Sequence, residues 1–320
     1  MKDNYSKEFY SIDNNRRKSD IENHISDITL NELGDNEHDL ESRSKVVRRI
    51  KILAFITFLI VSMFFVLFMY VIPEIKYNKA ITLMASGDFE GAYSILKGIY
   101  EYKDSDAKSD EARWLQSKKQ LKYVKTGDCI SFGAYEQDNK KSNGKEAIEW
   151  IVLDITEGKA LLLSKYALDS KEYSIDAYYD HWEDSTLRNW LNTNFIDCAF
   201  SDKEKAKISA VTVLPDRNPP YSTNPGNATQ DRLFLLSVTE ANKYLKTTDL
   251  RQCKPTAYAK ENGAYTFMGY CRWWLRSFGY SLGAASHVYI DGNINDHGTR
   301  VNNDETAVRP AMWIVLDDSN

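Results

Sequence analysis

The pattern of apolar and polar positions along this 320-residue chain changes character three times. Up to about residue 50 it is polar and charge-rich, with few large apolar side chains. Such a segment buries too little surface to offset its ordering entropy, and residues 1–50 are expected to form a disordered tail. Ile25, Ile28, Leu30 and Leu33 could form a short contact helix within it, although a plain solvated tail is the simpler reading. Ile52 to Ile72 then read ILAFITFLIVSMFFVLFMYVI, with only Thr57 and Ser62 as mild polar interruptions. A bilayer core about 30 Å thick needs about 20 apolar helical residues, so residues 51–73 predict a membrane-spanning helix. A buried core helix would carry charge or amide groups on one face, and none is present. Pro73 should end or kink this helix.

Helical spacing returns after the span, at Ala80, Leu83 and Met84 and again at Ala92, Ile95, Leu96 and Ile99. Ser86-Gly87-Asp88 predicts a turn, with Asp88 capping the second helix, and a third helix is expected from about Asp106 to Leu121. Beyond Tyr123 the pattern shifts to strands and short helices. Strands are predicted at Asp128–Phe132, Ile148–Leu153 and Lys159–Ser164, with a polar turn over Gln137–Lys145. Ser185 should cap a helix with Leu187, Trp190 and Leu191 on one face. Ser201/Glu204 and Ser237/Glu240 have capping-box spacing. Pro215–Asp231 reads as a long polar loop with four prolines, and Asn227-Ala228-Thr229 has sequon form. Asp291-Gly292 after Val288-Tyr289-Ile290 predicts a type I′ hairpin, and His297-Gly298 a second turn. Pro310 should mark an edge or bulge in the final strand, Val308–Leu316. Trp273, Trp274 and Trp313 are expected in or near the core.

Charge adds orientation. Arg43, Lys45, Arg48, Arg49 and Lys51 crowd the N-terminal flank of the span, against Lys76 and Lys79 offset by Glu74 on the other side. The excess of Lys and Arg stays in the cytoplasm, so the expectation is a single-pass cell-membrane protein, N-terminus cytoplasmic and C-terminal domain extracellular. A cleaved signal peptide fits poorly, because the span is long and starts some fifty residues in. The net charge of −5 argues against a nucleic-acid partner. The four cysteines, Cys129, Cys198, Cys253 and Cys271, have no C-x-x-C spacing. Cys253 with Cys271 is a candidate disulfide outside the cell, and separate semi-buried thiols are the alternative.

Candidate chemistry is sparse. No G-x-S-x-G elbow, H-E-x-x-H or P-loop is present. His24 and His38 lie in the tail. His287 and His297 flank the predicted hairpin, but no third metal ligand is implied. His181 precedes Trp182 in a surface turn, and Asp176, Asp180, Glu183 and Asp184 look like a solvated loop. Asn302-Asn303-Asp304-Glu305 offers hard oxygens for calcium, but a self-bonded polar turn accounts for it better. Arg276 and Arg309 stand in apolar strands and should be paired structurally. Tyr280, His287, Tyr289, Asn293, Asn295, His297, Arg300 and Asn302 are the candidate ligand-binding set, because strand alternation would place them on one face. No cofactor and no metal site is expected.

Three resemblances sharpen this reading. A-x-x-L-M-x-x-G-D-F-x-x-A-x-x-x-L followed by Y-K-D-S resembles one tetratricopeptide-like hairpin, which makes residues 74–123 a stalk or a packing element. From about Val124 to Leu316, six segments in order resemble a bacterial domain of unknown function on surface and secreted proteins. They are GAYEQDNKKSNGKEAIEWIVL from Gly133, TLRNWLN from Thr186, STNPGNATQD from Ser222, FLLSVTEANKYL from Phe234, WWLRS from Trp273 and VNNDETAVRPAMWI from Val301. More distantly, W-L-R-S, the DG turn, the Asn-rich loop and A-V-R-P are similar to the C-type-lectin-like core, also present in formylglycine-generating-enzyme-like domains. The lectin calcium tripeptides and a clear match to the copper-binding cysteine pair are both missing. The resulting expectation is an α+β chain in which a single transmembrane helix and helical stalk precede a lectin-like domain at 124–317. Its function would be to bind a surface glycan or protein ligand. A wall-polymer enzyme and a sensor relaying to the tail are the alternatives.

Overall fold

The structure, a computed structural model, describes residues 23, 26, 39–176, 181–218, 220, 221 and 223–316. Ile25, Ile28, Leu30 and Leu33 of the expected contact helix, the histidines His24 and His38, and Asp180 lie outside the described residues. The chain divides into two units, Met1–Ile72 and Pro73–Asn320. A single helix, α1 (Asp39–Ser86), carries the apolar run and is long and apolar enough to cross a membrane. None of its most hydrophobic 18-residue window is buried. Pro73 does not end this helix. The turn just before it, Leu67–Val71, is π-helical. A proline lacks an N–H and crowds the carbonyl four residues back, and a widened turn relieves both conflicts.

The second unit opens with a helical hairpin, and its turn forms as the spacing predicts. Asp88 accepts from Gly91 N at 2.9 Å and starts α2 (Phe89–Lys97). Helix α3 (Ser105–Leu121) packs back on it, and Ala80, Ala92, Leu96 and Ala112 form a small apolar core. The small side chains let the helix axes approach closely. The hairpin also packs on the sheet that follows, where Ser117 Oγ donates to Ser131 O at 2.6 Å and Gln120 Oε1 accepts from Ser131 N at 2.8 Å.

Two five-stranded sheets, two smaller two-stranded ones and several short helices make up the described residues that follow. The strands in chain order are β1 (Cys129–Tyr135), β2 (Glu146–Thr156), β3 (Lys159–Ser164), β4 (Asp169–Ser170), β5 (Val211–Val213), β6 (Thr229–Asp231), β7 (Leu233–Phe234), β8 (Thr266–Phe267), β9 (Tyr270–Cys271), β10 (Trp273–Phe278), β11 (Ala284–Val288), β12 (Ile294–Arg300), β13 (Ala307–Val308) and β14 (Ala311–Val315). One sheet has the order β1-β2-β3-β14-β7 and the other β12-β11-β10-β13-β4. Pro310 sits where the chain leaves one sheet for the other. Val308 pairs with Asp169 and Ala311 with Leu163, so the stretch expected as one interrupted strand is two. A residue without an N–H fits this crossing, because it leaves no ladder donor unpaired.

Every residue of β10 is buried, and Trp150, Trp273 and Trp274 are sealed in one large core. Each indole N–H finds a carbonyl: Phe132 O at 2.6 Å, Arg251 O at 2.9 Å and Lys171 O at 2.8 Å respectively. Trp313 packs against that core while half-buried. Both capping boxes form, at Ser201/Glu204 and Ser237/Glu240. Arg276 pairs with Glu240, and Arg309 donates to Ser164 O at 2.9 Å while lying 4.8 Å above the Trp273 ring.

Two turns depart from expectation. Asp291-Gly292 is not type I′, because only Gly292 has a positive φ, +83°. Asp291 instead accepts from Asn293 N at 2.9 Å, and Gly292 N closes on Tyr289 O at 2.9 Å. His297-Gly298 is no turn but part of β12. Asn295 pairs with His287 and Thr299 with Ala285, so three residues of β12 bulge opposite Ser286. Asn218, from the long proline-rich loop, is buried in that bulge and donates to Asp296 O and Phe278 O, both at 2.6 Å.

Candidate ligand-binding site

The eight residues expected to share one binding face are split by the fold. His287 does not face solvent: it is 2% exposed, edge-on to Trp274. Burial, and then the Arg272 charge, lower its pKa to about 4, so it is a neutral packing residue. β11 is an inner strand with every residue buried, so alternation along it brings no residue to solvent, and the β12 bulge further uncouples His297 from His287. Asn293 is held by the Asp291 turn and Asn295 Oδ1 accepts from Gly298 N at 3.0 Å. Tyr280 and His297 do come together, stacked at 3.9 Å, with Tyr221 edge-on to the same imidazole. Tyr280 and Tyr289 are 51% and 40% exposed, and Arg300 and Asn302 are exposed too. The neighbouring Asn302–Glu305 stretch is a self-satisfied turn. Asn303 Oδ1 accepts from Thr306 Oγ1 at 2.8 Å and from Arg272 at 3.0 Å, which leaves little for calcium.

A concave site lies elsewhere, between the helical hairpin, the β1–β2 turn and the segment at residues 198–201. It encloses about 560 Å³. Lys97 pins the hairpin to the turn. Its ammonium donates to the carbonyls of Asn143 (2.9 Å), Gly144 (3.1 Å) and Lys145 (3.0 Å) and pairs with Glu146 at 2.8 Å. Tyr93 Oη accepts from Ala147 N at 3.0 Å. Deeper, Arg113 of α3 forms a buried ion pair with Glu204. The same carboxylate accepts from Gly133 N at 3.1 Å and from Ser201 N and Oγ at 2.8 Å. Lys145 reaches the carbonyl of Cys198 at 2.5 Å.

Tyr93, Tyr100 and Tyr258 supply aromatic surface to this cleft, and Asp106, Asp110, Glu136, Lys141 and Lys145 supply charge of both signs. Partial burial, and then the nearby Glu146 carboxylate, raise the pKa of Glu136. Aromatic faces beside a few convergent polar groups suit a polar organic ligand. The sequence holds each part of the cleft in plain view, as a helical hairpin, a polar turn and a capping box. Only their packing brings them together.

Cys253 and Cys271 are buried free thiols facing each other across an isolated antiparallel bridge, with Cys271 N donating to Cys253 O at 2.9 Å, whereas Cys129 and Cys198 are exposed.

A family described as a domain of unknown function (DUF6273) matches residues 157–316. That span covers both five-stranded sheets except β1 and β2, and it excludes the helical hairpin. No curated protein and no solved structure matches the chain.

Proposed function

This chain belongs to the DUF6273 family, and from that premise we propose that it is a membrane-anchored extracytoplasmic binding module that recognises a surface glycan or protein ligand. The observation that carries the reading is the cleft between the hairpin and the β1–β2 turn. It has the size, the tyrosine faces and the mixed charge of a recognition site. Among the described residues lining it, no hydroxyl or thiol nucleophile hydrogen-bonds a histidine, an arrangement that catalysis by a triad would need. The apolar helix supplies the anchor, and the Lys/Arg excess before it supports a cytoplasmic N-terminus. The lectin-like reading of the domain rests on the W-L-R-S strand, the Asn-rich loop and the A-V-R-P crossing, and supports a rigid two-sheet frame that displays loops.

The test is calorimetric titration of the full chain in detergent with purified cell-wall glycan fractions. Saturable binding without product release is expected, weakened at least about tenfold by Tyr100→Ala and by Glu136→Gln, the loss of one well-placed contact. Tyr289→Ala and Arg300→Ala test the C-terminal face in parallel. Loss of binding in those two alone would move the site to that face. Release of cleaved glycan would replace the binder with a wall enzyme.

A further inference from the structure

We propose that His181, Glu183 and Asp184 form a binding site for one divalent transition-metal ion of the zinc class. The three residues occupy a single tight turn around the short helix Trp182–Asp184. A ring nitrogen of His181 and one carboxylate oxygen from each of the other two lie within 4.8 Å of one another. Ligand atoms at roughly 2.0–2.2 Å from one ion stand roughly 3.5 Å apart, so a small closing of side chains completes the set. One imidazole and two carboxylates suit zinc, cobalt or nickel, and two negative charges balance the ion. Water would fill the open positions.

The turn is built rigidly. Trp182 is buried beside it and donates to Asp231 at 2.8 Å. Asp184 N donates to His181 O at 3.0 Å, and Arg188 holds Glu183 O at 2.9 Å. The His181 ring is clamped edge-on to Phe278, 4.9 Å between centroids. On its other side Gly226 has φ +79°, and a Cβ there would lie 2.9 Å from the histidine. A larger residue at 226 would therefore push the ring out of place.

Two independent features point to a ligand. Nε2 of His181 is sealed from solvent and has no hydrogen-bond partner, a costly state for a polar atom. Glu183 is held in orientation: Asn227 donates to its two oxygens, through N at 3.1 Å and Nδ2 at 3.0 Å. Outer hydrogen bonds of this kind hold metal-binding carboxylates in register. A bound ion would thereby tie the turn to the proline-rich loop.

The other ligand-type cluster, Glu136, Asp138 and Glu146, differs in already facing a cation. The Lys97 ammonium stands 2.8 Å from Glu146, and backbone N–H groups donate to it from Gln137 and Asp138 and to Glu136 from Lys140. The protein supplies its own cation there.

Cobalt is the probe, because its visible absorption reports bound imidazole and carboxylate. Titration of the full chain in detergent should show one equivalent of Co²⁺, displaced by Zn²⁺. His181→Ala and Asp184→Asn should each weaken uptake by at least about tenfold, and Glu136→Gln should leave it unchanged. Asp184 is exposed, so its variant keeps the fold even if His181→Ala does not; near-ultraviolet circular dichroism checks both. Wild-type affinity in Asp184→Asn would overturn the site, and so would uptake by the wild type no greater than by a His181→Ala/Asp184→Asn double variant.

Discussion

His287 shows how burial rewrites a single residue. A histidine in water titrates near 6.5, but this one, enclosed beside Trp274 and near Arg272, takes its proton only at about 4. The unfolded chain therefore binds more protons than the folded one between these two values. Stability is full above the unfolded pKa and falls as pH drops towards the folded one, by at most about 3 kcal/mol at 1.36 kcal/mol per unit. Denaturant titrations at pH 7 and pH 4 should show that His287→Phe loses less stability on acidification than the wild type. An identical loss in both would place the acid sensitivity elsewhere. At this scale the sequence names a titratable residue without its surroundings. Alternation along the hairpin put His287 outside, because nothing local announces that β11 is covered on both faces.

Elements were the most legible level. Asp88, Ser185, Ser201 and Ser237 all cap helices, because a short side chain that accepts from a free N–H acts within one turn of its own position. Tertiary packing then gave one cap a second task. Glu204, which closes the Ser201 capping box, also neutralises Arg113 of α3, and both are buried. Glu204→Gln keeps the cap's shape but leaves the buried arginine only the exposed Asp110 as an anionic partner. Chemical denaturation should register a loss of about 3 kcal/mol, the usual penalty for breaking a buried pair from one side. Arg113→Met in the same background should recover part of it. A loss under about 0.5 kcal/mol, the scale of exposed pairs, would mean that water reaches this pair.

For the whole molecule, the cysteines report burial and side of the membrane together. The tail and span contain none, and the remaining four divide into exposed Cys129 and Cys198 and buried Cys253 and Cys271. A membrane-impermeant maleimide applied to intact cells is expected to modify the first two and spare the second two until the protein is denatured. Protection of all four until lysis would reverse the proposed orientation. Labelling at Cys198 would also probe the cleft, whose wall it forms.

The sequence by itself determined the apolar helix, the helical hairpin with its cap, the strands from β1 to β3 and the capping boxes, because each depends on interactions among near neighbours along the chain. It also determined that the tryptophans of β10 would be buried, since no solvated position holds so much ring area. Only the tertiary structure decided that Arg309-Pro310 carries the chain between two sheets, that Lys97 clasps the 143–145 carbonyls, and that His181 meets Phe278 and Gly226. Those contacts join residues between 45 and about 150 positions apart. Which distant segments meet depends on the packing of the entire core, and local spacing carries no record of it.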